Sequence, residues 1–172
     1  MFKVHLKSDT EKKQLFAMKV LKKSFLVKNN HLKYAVSEAN ILKKAENPYV
    51  IKLHYAFQTP DNLYMVLDLC TGGDLAFHLT KREMFDENEA MFFTAEIVLA
   101  IEYIHSLDVI YRDLKPENIL IDSEGHIKLT DFGLAKENID FKTNAKSFCG
   151  SPAYLAPEML TDKGVGRPAD IY

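Results

Sequence analysis

The segment Tyr111-Arg112-Asp113-Leu114-Lys115-Pro116-Glu117-Asn118 sets an acid, a base and an amide within a few positions of one another, and Asp131-Phe132-Gly133 adds a second acid shortly afterwards. Between them, Ile119-Leu120-Ile121 and His126-Ile127-Lys128-Leu129 flank Asp122-Ser123-Glu124-Gly125, a turn-rich linker. This pattern predicts a short hairpin whose folding brings Asp113, Asn118 and Asp131 into one neighbourhood. Hard oxygen donors such as Asn118 and Asp131 suit Mg²⁺. A carboxylate beside the ion, Asp113, can orient or deprotonate a hydroxyl, and Lys115 can neutralise charge on a moving phosphoryl group. Phosphoryl transfer asks for this kind of positioning and charge stabilisation. Asp131-Phe132-Gly133 alone would be an ordinary loop. It gains meaning from its order and spacing after the first motif.

The elements around these motifs can be read from periodicity. Val4 to Lys7 reads as a short strand. Gln14 to Leu21 alternates like a half-buried strand, with Leu15, Ala17, Lys19 and Leu21 on one face. A lysine on that inward face is costly unless it is paired. Asn30 to Ala45 predicts a helix with Leu32, Val36, Ala39 and Leu42 as its apolar stripe, Glu38 close to it, and Asn47-Pro48 as its stop. Strands over Tyr49–Gln58 and Leu63–Leu69 follow, then a break at Gly72-Gly73 and a short helix from Asp74 to Lys81. Asp86-Glu87-Asn88-Glu89 has the form of a capping box. It opens a long helix with Phe93, Ile97, Ile101 and Ile104 at helical spacing. Strands dominate before Leu69 and helices after it, which predicts a small β-rich lobe and a helical lobe with a cleft between them.

Composition bounds the reading. The chain has 172 residues, 47% hydrophobic and 27% charged, which suits a globular protein with a core. The net charge of −2 hides an uneven distribution: Met1 to His54 carries 12 Lys and no Arg against 4 acids, and the remainder is acidic. That asymmetry fits two lobes with opposed fields, or simply two solvated surfaces. Cys70 and Cys149 lack metal-ligand spacing, which favours a reducing compartment. The start, Met1-Phe2-Lys3-Val4-His5, does not read as a signal peptide. The most apolar helix candidate contains Glu96 and Glu102, so no membrane span is expected.

With these residues in view, the chain resembles a eukaryotic protein kinase catalytic domain, and more narrowly the serine/threonine kinases of the cAMP-dependent kinase and protein kinase C-like (AGC) group. The tyrosine heading the catalytic loop, Asn62-Leu63-Tyr64-Met65-Val66-Leu67, and Phe148-Cys149-Gly150-Ser151-Pro152-Ala153-Tyr154-Leu155-Ala156-Pro157-Glu158 carry the narrower likeness. The resemblance implies an α+β two-lobe fold, with an N-lobe over 1–67, a hinge over 68–73 and a C-lobe from 74 to 172. It implies ATP and Mg²⁺ as cofactors and protein serine or threonine hydroxyls as acceptors. Lys115 points to Ser/Thr rather than Tyr specificity.

The site follows residue by residue. The resemblance gives Asp113 the role of the catalytic aspartate that addresses the acceptor hydroxyl and Lys115 that of its partner, with Asn118 and Asp131 on the metal. Lys19 would hold the α- and β-phosphates, with Glu38 keeping its amine charged and aimed. Leu67 would stand behind the adenine, whose edge would meet the backbone of Asp68 and Cys70, while Ala17, Leu120 and Val4 would enclose the ring. Asp74 would reach the ribose or a basic substrate residue. Leu42, Leu53, Tyr111 and Phe132 would stack as an apolar column with Asp170 at its base. Ser147 would take an activating phosphate from an upstream kinase. Arg112 would read that phosphate, with Lys128 and Lys136 flanking the segment. Ser151 would touch Asp113 and Lys115.

The resemblance also implies protein substrates with basic residues before the target, no nucleic acid, and a cytoplasmic location with the nucleus left open. Two departures qualify it. Alignment through Val4 leaves no room for the glycine-rich phosphate loop, and the chain stops just after Asp170. The expectation is therefore an incomplete domain, read either as a fragment of an active kinase or as a catalytically silent binding module. Asp170, in the last three residues, is expected to fray and to brace the catalytic loop poorly.

Overall fold

The computed structural model describes residues 1–11, 14–137, 150–160 and 165–172. Four antiparallel strands, β1 (Phe2–His5), β2 (Leu15–Lys22), β3 (Leu53–Gln58) and β4 (Asn62–Asp68), form one sheet in the order β1-β2-β4-β3. The first strand begins two residues before the expected Val4 and ends at His5, because Phe2 to His5 pair with Met18 to Leu15. On β2, Ala17 lies opposite Leu67 and Lys19 opposite Met65. Both partners are buried, so the face shared by Ala17 and Lys19 is turned inward, as the alternation predicts.

Two helices pack beside this sheet, α1 (Lys23–Lys28) and α2 (Leu32–Lys44). Periodicity does not reveal α1, which is a single short turn-and-a-half carrying only Leu26 into the core. The α2 stripe is rotated from the expected one. Ala35, Glu38, Ile41 and Leu42 are buried, whereas Leu32 and Val36 are exposed. Pairing of Glu38 with Lys19 sets the inward face, so a charged residue occupies the position that hydrophobicity alone assigns outside. Val36 lines a shallow cavity of about 210 Å³ with Leu21, Phe57 and Tyr64.

Beyond Asp68 come α3 (Leu75–Arg82) and α4 (Glu87–Ser106). The hairpin of β5 (Ile119–Ile121) and β6 (Ile127–Leu129) follows, in the predicted place. Gly72 and Gly73 do more than break the chain. The Gly72 N–H donates to the Ile121 carbonyl at 2.9 Å, and the Ile121 N–H donates to the Gly73 carbonyl at 2.8 Å. A Cβ on Gly72 would meet Ile121 Cγ2 at 2.7 Å, so only glycine allows this approach.

One core cluster joins α2, α4 and the hairpin through residues such as Ile41, Leu42, Ile101, Ile104, Ile127 and Leu129. The hairpin is also tied to the chain before β3: the Ile51 N–H donates to the Leu129 carbonyl at 2.9 Å and the Leu129 N–H to the Tyr49 carbonyl at 2.8 Å.

The capping box at α4 forms as predicted. Asp86 Oδ1 accepts the Glu89 N–H at 2.9 Å and Glu89 Oε2 accepts the Asp86 N–H at 3.3 Å. Glu89 also receives both guanidinium nitrogens of Arg82, tying the end of α3 to the start of α4. Replacing the cap, Asp86→Ala, is expected to cost about 1 kcal/mol of stability. Chemical denaturation measures this, and an unchanged midpoint would mean that the box contributes nothing.

Candidate functional site

The loop from Tyr111 to Asn118 is held from behind by the Asp170 carboxylate. Asp170, 3% exposed, accepts the Tyr111 N–H on Oδ2 at 2.8 Å and the Arg112 N–H on Oδ1 at 2.7 Å. His105, at the end of α4, sits 2.7 Å from Asp170 Oδ2. The expected fraying of Asp170 is therefore not found. Three hydrogen bonds and complete burial tie it down, and these outweigh its position near the chain end. His105 has no signal in the sequence beyond its place in the last turn of α4. Arg112 takes φ +69°, a strained value for a non-glycine residue, and the Asp170 bonds fix it.

Next along the loop, Asp113 is 9% exposed. Its Oδ2 accepts from the Asn118 amide at 2.8 Å and lies 3.0 Å from the Lys115 ammonium. Its Oδ1 accepts the Ser151 hydroxyl at 3.0 Å, and Lys115 donates to that same hydroxyl oxygen at 2.7 Å. The expected contact of Ser151 with Asp113 and Lys115 is present. Beside it opens a cavity of about 350 Å³ bordered by Asp113, Lys115, Pro116, Ser151 and Tyr154.

The hairpin returns the chain to this loop. The Thr130 N–H donates to the Asn118 carbonyl at 3.0 Å, and the Tyr111 hydroxyl donates to the Thr130 carbonyl. Burial, with the Asp131 and Asp113 charges adding to it, holds the Tyr111 phenol far above its ordinary pKa, so it remains a donor. Asp131 follows at φ +57°, with its side chain 54% exposed and its carboxylate accepting the Gly133 N–H at 3.4 Å. Phe132 is fully buried, and its ring meets Tyr111 edge-on at 5.1 Å between centroids. Leu42 is buried and Leu53 partly so, in the same core cluster.

Lys19 joins the sheet to these elements. Its ammonium donates to both Glu38 oxygens, at 2.7 and 2.9 Å, and lies 3.9 Å from Asp131 Oδ1. Burial pushes the Glu38 carboxyl above its ordinary pKa, and the neighbouring Lys19 charge pulls it back in part. One lysine therefore contacts a strand-facing helix and the post-hairpin acid together.

The end of β4 carries a second cluster. Asp68 Oδ1 lies 2.7 Å from the His54 ring, and its Oδ2 accepts the Lys52 N–H at 3.1 Å. The Lys128 ammonium is 3.8 Å from that Oδ2. Lys128 thus pairs at the end of β4, because alternation along β6 turns its stem toward Asp68. Burial raises the Cys70 thiol to about 11, so it is protonated at neutral pH. Val4 pairs with Phe16 on the outer strand, next to the Lys3–Ala17 pair. Leu120 bridges to Asp74, which brings the hairpin to the start of α3. Asp74 serves as the N-cap of α3, with Oδ1 accepting the Phe77 N–H at 2.7 Å. Arg112 donates through Nε to the Leu134 carbonyl at 2.8 Å. Ser147 lies outside the described residues.

Sequence reasoning missed Glu96. It is 4% exposed on α4, with Oε1 at 2.6 Å from His126 Nδ1 and Oε2 accepting the Ile127 N–H at 2.9 Å. Its signal in the sequence is a carboxylate set between the apolar positions Phe93 and Ile97 of the helical stretch.

Among the described residues no helix is long and apolar enough to cross a membrane, as expected. A family model described as "Protein kinase domain" matches residues 2–172. The chain is 51% identical to human ribosomal protein S6 kinase alpha-3 over 163 residues, which is 95% of this chain and 22% of that protein. It is 48% identical to human serine/threonine-protein kinase Sgk1, covering 98% of this chain and 39% of the relative. Similarity to rat RAC-beta serine/threonine-protein kinase is also 48%, over 90% of this chain and 32% of the relative. The chain spans well under half the length of each.

The hydrogen bond to Glu96 raises the His126 pKa above its ordinary 6.5. A base whose folded value is raised contributes fully below the unfolded value, and the contribution is lost as pH rises through the folded one. The stability gap between this chain and a His126→Gln variant should therefore be widest below 6.5 and shrink above it. Denaturation at a series of pH values tests this, and a gap independent of pH would contradict the pairing.

Proposed function

Because this chain belongs to the protein kinase domain family, we propose that it supplies the core of an ATP-dependent serine/threonine phosphotransferase acting on proteins. The observation that carries the reading is the Asp113–Ser151–Lys115 arrangement: a carboxylate and an ammonium meet on one hydroxyl oxygen, at 3.0 and 2.7 Å. A substrate hydroxyl delivered to the same pair would be oriented by Asp113, with Lys115 offsetting charge on the transferred group.

The other residues are assigned by the same logic. Lys19, aimed by Glu38, is placed to bind phosphate oxygens. The slot for adenine is assigned to Val4, Ala17, Leu67, the backbone of Asp68 and Cys70, and Leu120. The capping bond of Asp74 leaves its second oxygen for a ribose hydroxyl. The donor set fits Mg²⁺: the half-exposed Asp131 carboxylate has, among the described residues, a long bond from Gly133 and the Lys19 ammonium at 3.9 Å, and the Asn118 amide nitrogen is committed to Asp113, which leaves its carbonyl oxygen for the ion. Bound there, Mg²⁺ would neutralise phosphate charge. Among the described residues no group of three or more His, Cys, Asp or Glu is arranged to hold an ion, and the reading assigns the protein's share of the coordination to Asn118 and Asp131. Residues 68–73 act as the hinge between lobes formed by 1–67 and 74–172. Basic residues before the target hydroxyl, an upstream activating kinase and a cytoplasmic setting complete the reading.

The division of roles is testable. Asp113→Asn is expected to lower transfer by roughly 10²–10⁴-fold while leaving nucleotide affinity nearly intact. Asp131→Asn should weaken Mg²⁺-nucleotide binding as well. Titration with a non-hydrolysable ATP analogue separates the two, and equal losses of affinity would refute the assignment. For Ser147, a phosphate would pair with Arg112 through charge-assisted hydrogen bonds. Mass spectrometry of active protein should find Ser147 phosphorylated and Ser147→Ala should be impaired. Full activity of that variant would remove the switch.

A further inference from the structure

The hairpin that returns Asp131 to the site is short. Its ladder has three residue pairs, Ile119–Leu129, Leu120–Lys128 and Ile121–Ile127. Two strands of this length do not hold their own geometry. The end near Asp131 is secured by the Tyr49 and Ile51 backbone and by the Thr130 bonds. The far end, at the turn, is secured by Asp122 Oδ1 accepting the Glu124 and His126 N–H groups, and by Glu96.

On the β5 side of the turn, Gly72 and Gly73 bond the Ile121 backbone at 2.9 and 2.8 Å; on the β6 side, the side chain that reaches across with hydrogen bonds is Glu96. Burial of its carboxylate is unfavourable unless both oxygens are satisfied. His126 and the Ile127 N–H do so, one to each oxygen. Phe92 of the same helix lies against the His126 ring at 5.8 Å, and Asp122 and Glu124 face that ring from the turn. The carboxylate therefore fixes β6 in register on α4, four residues before Asp131. Asp131 itself has a left-handed backbone, which persists only when its surroundings over-determine it.

We propose that Glu96 is a positioning residue for the metal-binding end of the site, acting through His126 and the Ile127 amide to place Asp131. The inference rests on the phosphotransferase reading for the role of Asp131, and its experiment separates the two. Affinity for a non-hydrolysable ATP analogue is measured with and without Mg²⁺. The Mg²⁺-dependent gain should fall by roughly tenfold in Glu96→Ala, with metal-free affinity unchanged, because small misplacements at a site are costly. Glu96→Gln should lose less, since its amide still meets the Ile127 N–H and a neutral His126 ring; it also serves if the alanine variant does not fold.

Asp86→Ala, which weakens α4 without touching the hairpin, is the control and should keep the gain. A retained gain in Glu96→Ala, or an equal loss in Asp86→Ala, overturns the proposal. If the unsubstituted protein shows no Mg²⁺ gain, or Asp131→Asn keeps it, the phosphotransferase reading fails instead. Amide hydrogen exchange still decides the positioning claim in that case. Exchange at Ile127 and from Asp131 to Gly133 should be faster in Glu96→Ala than in Asp86→Ala, and equal rates would overturn it.

Discussion

The loop from Tyr111 to Asn118 depends on the Asp170 carboxylate. Two consecutive backbone N–H groups, of Tyr111 and Arg112, end on its two oxygens. Without it, the left-handed turn at Arg112 would leave two buried amides unpaired, each worth about 1–3 kcal/mol. With it, the chain reverses sharply enough to present Asp113 to Ser151 and Lys115. It also keeps the Tyr111 ring in the core against Phe132. His105 extends the support to α4, so the long helix serves as the base on which the loop stands.

A second set of charges coordinates the opposite side. Lys19 on β2 faces Glu38 on α2 and Asp131 after β6, so strand, helix and hairpin share one ion cluster. Burial raises the Glu38 carboxyl, and the ammonium beside it offsets part of that cost. Replacing a pair of this kind by apolar packing is often neutral or stabilising; what the pair adds here is a fixed direction for the Lys19 amine. The shared cluster couples the position of α2 to that of Asp131: a shift of the helix moves the charge that Asp131 faces. The Asp68 group with His54 and Lys128 ties β3, the end of β4 and β6 to one carboxylate.

Much of this was legible in the sequence because it is local. Asp113, Asn118 and Asp131 are brought together by a hairpin whose turn residues are plain, and the Asp86–Glu89 box is a four-residue pattern. The inward face of β2 follows from simple alternation. The failures have physical causes. The α2 face is rotated from its apolar stripe: Glu38, beside that stripe in the sequence reading, is buried for its pairing with Lys19, and Leu32 and Val36 turn outward. Asp170 was expected to fray, yet its bonds reach back about 60 positions in the chain. Glu96 and His126 are 30 positions apart, and Lys128 and Asp68 lie on different strands, so neither pairing leaves a local trace. The short α1 helix has too few turns to show a period.

The most direct test of the central claim is transfer of label from γ-labelled ATP to peptides offering serine, threonine or tyrosine after basic residues, followed by phosphoamino-acid analysis. The account predicts label on serine and threonine, dependent on Mg²⁺ and lost when Lys19 is replaced by methionine. Label confined to tyrosine, or transfer that survives loss of Lys19, would contradict it.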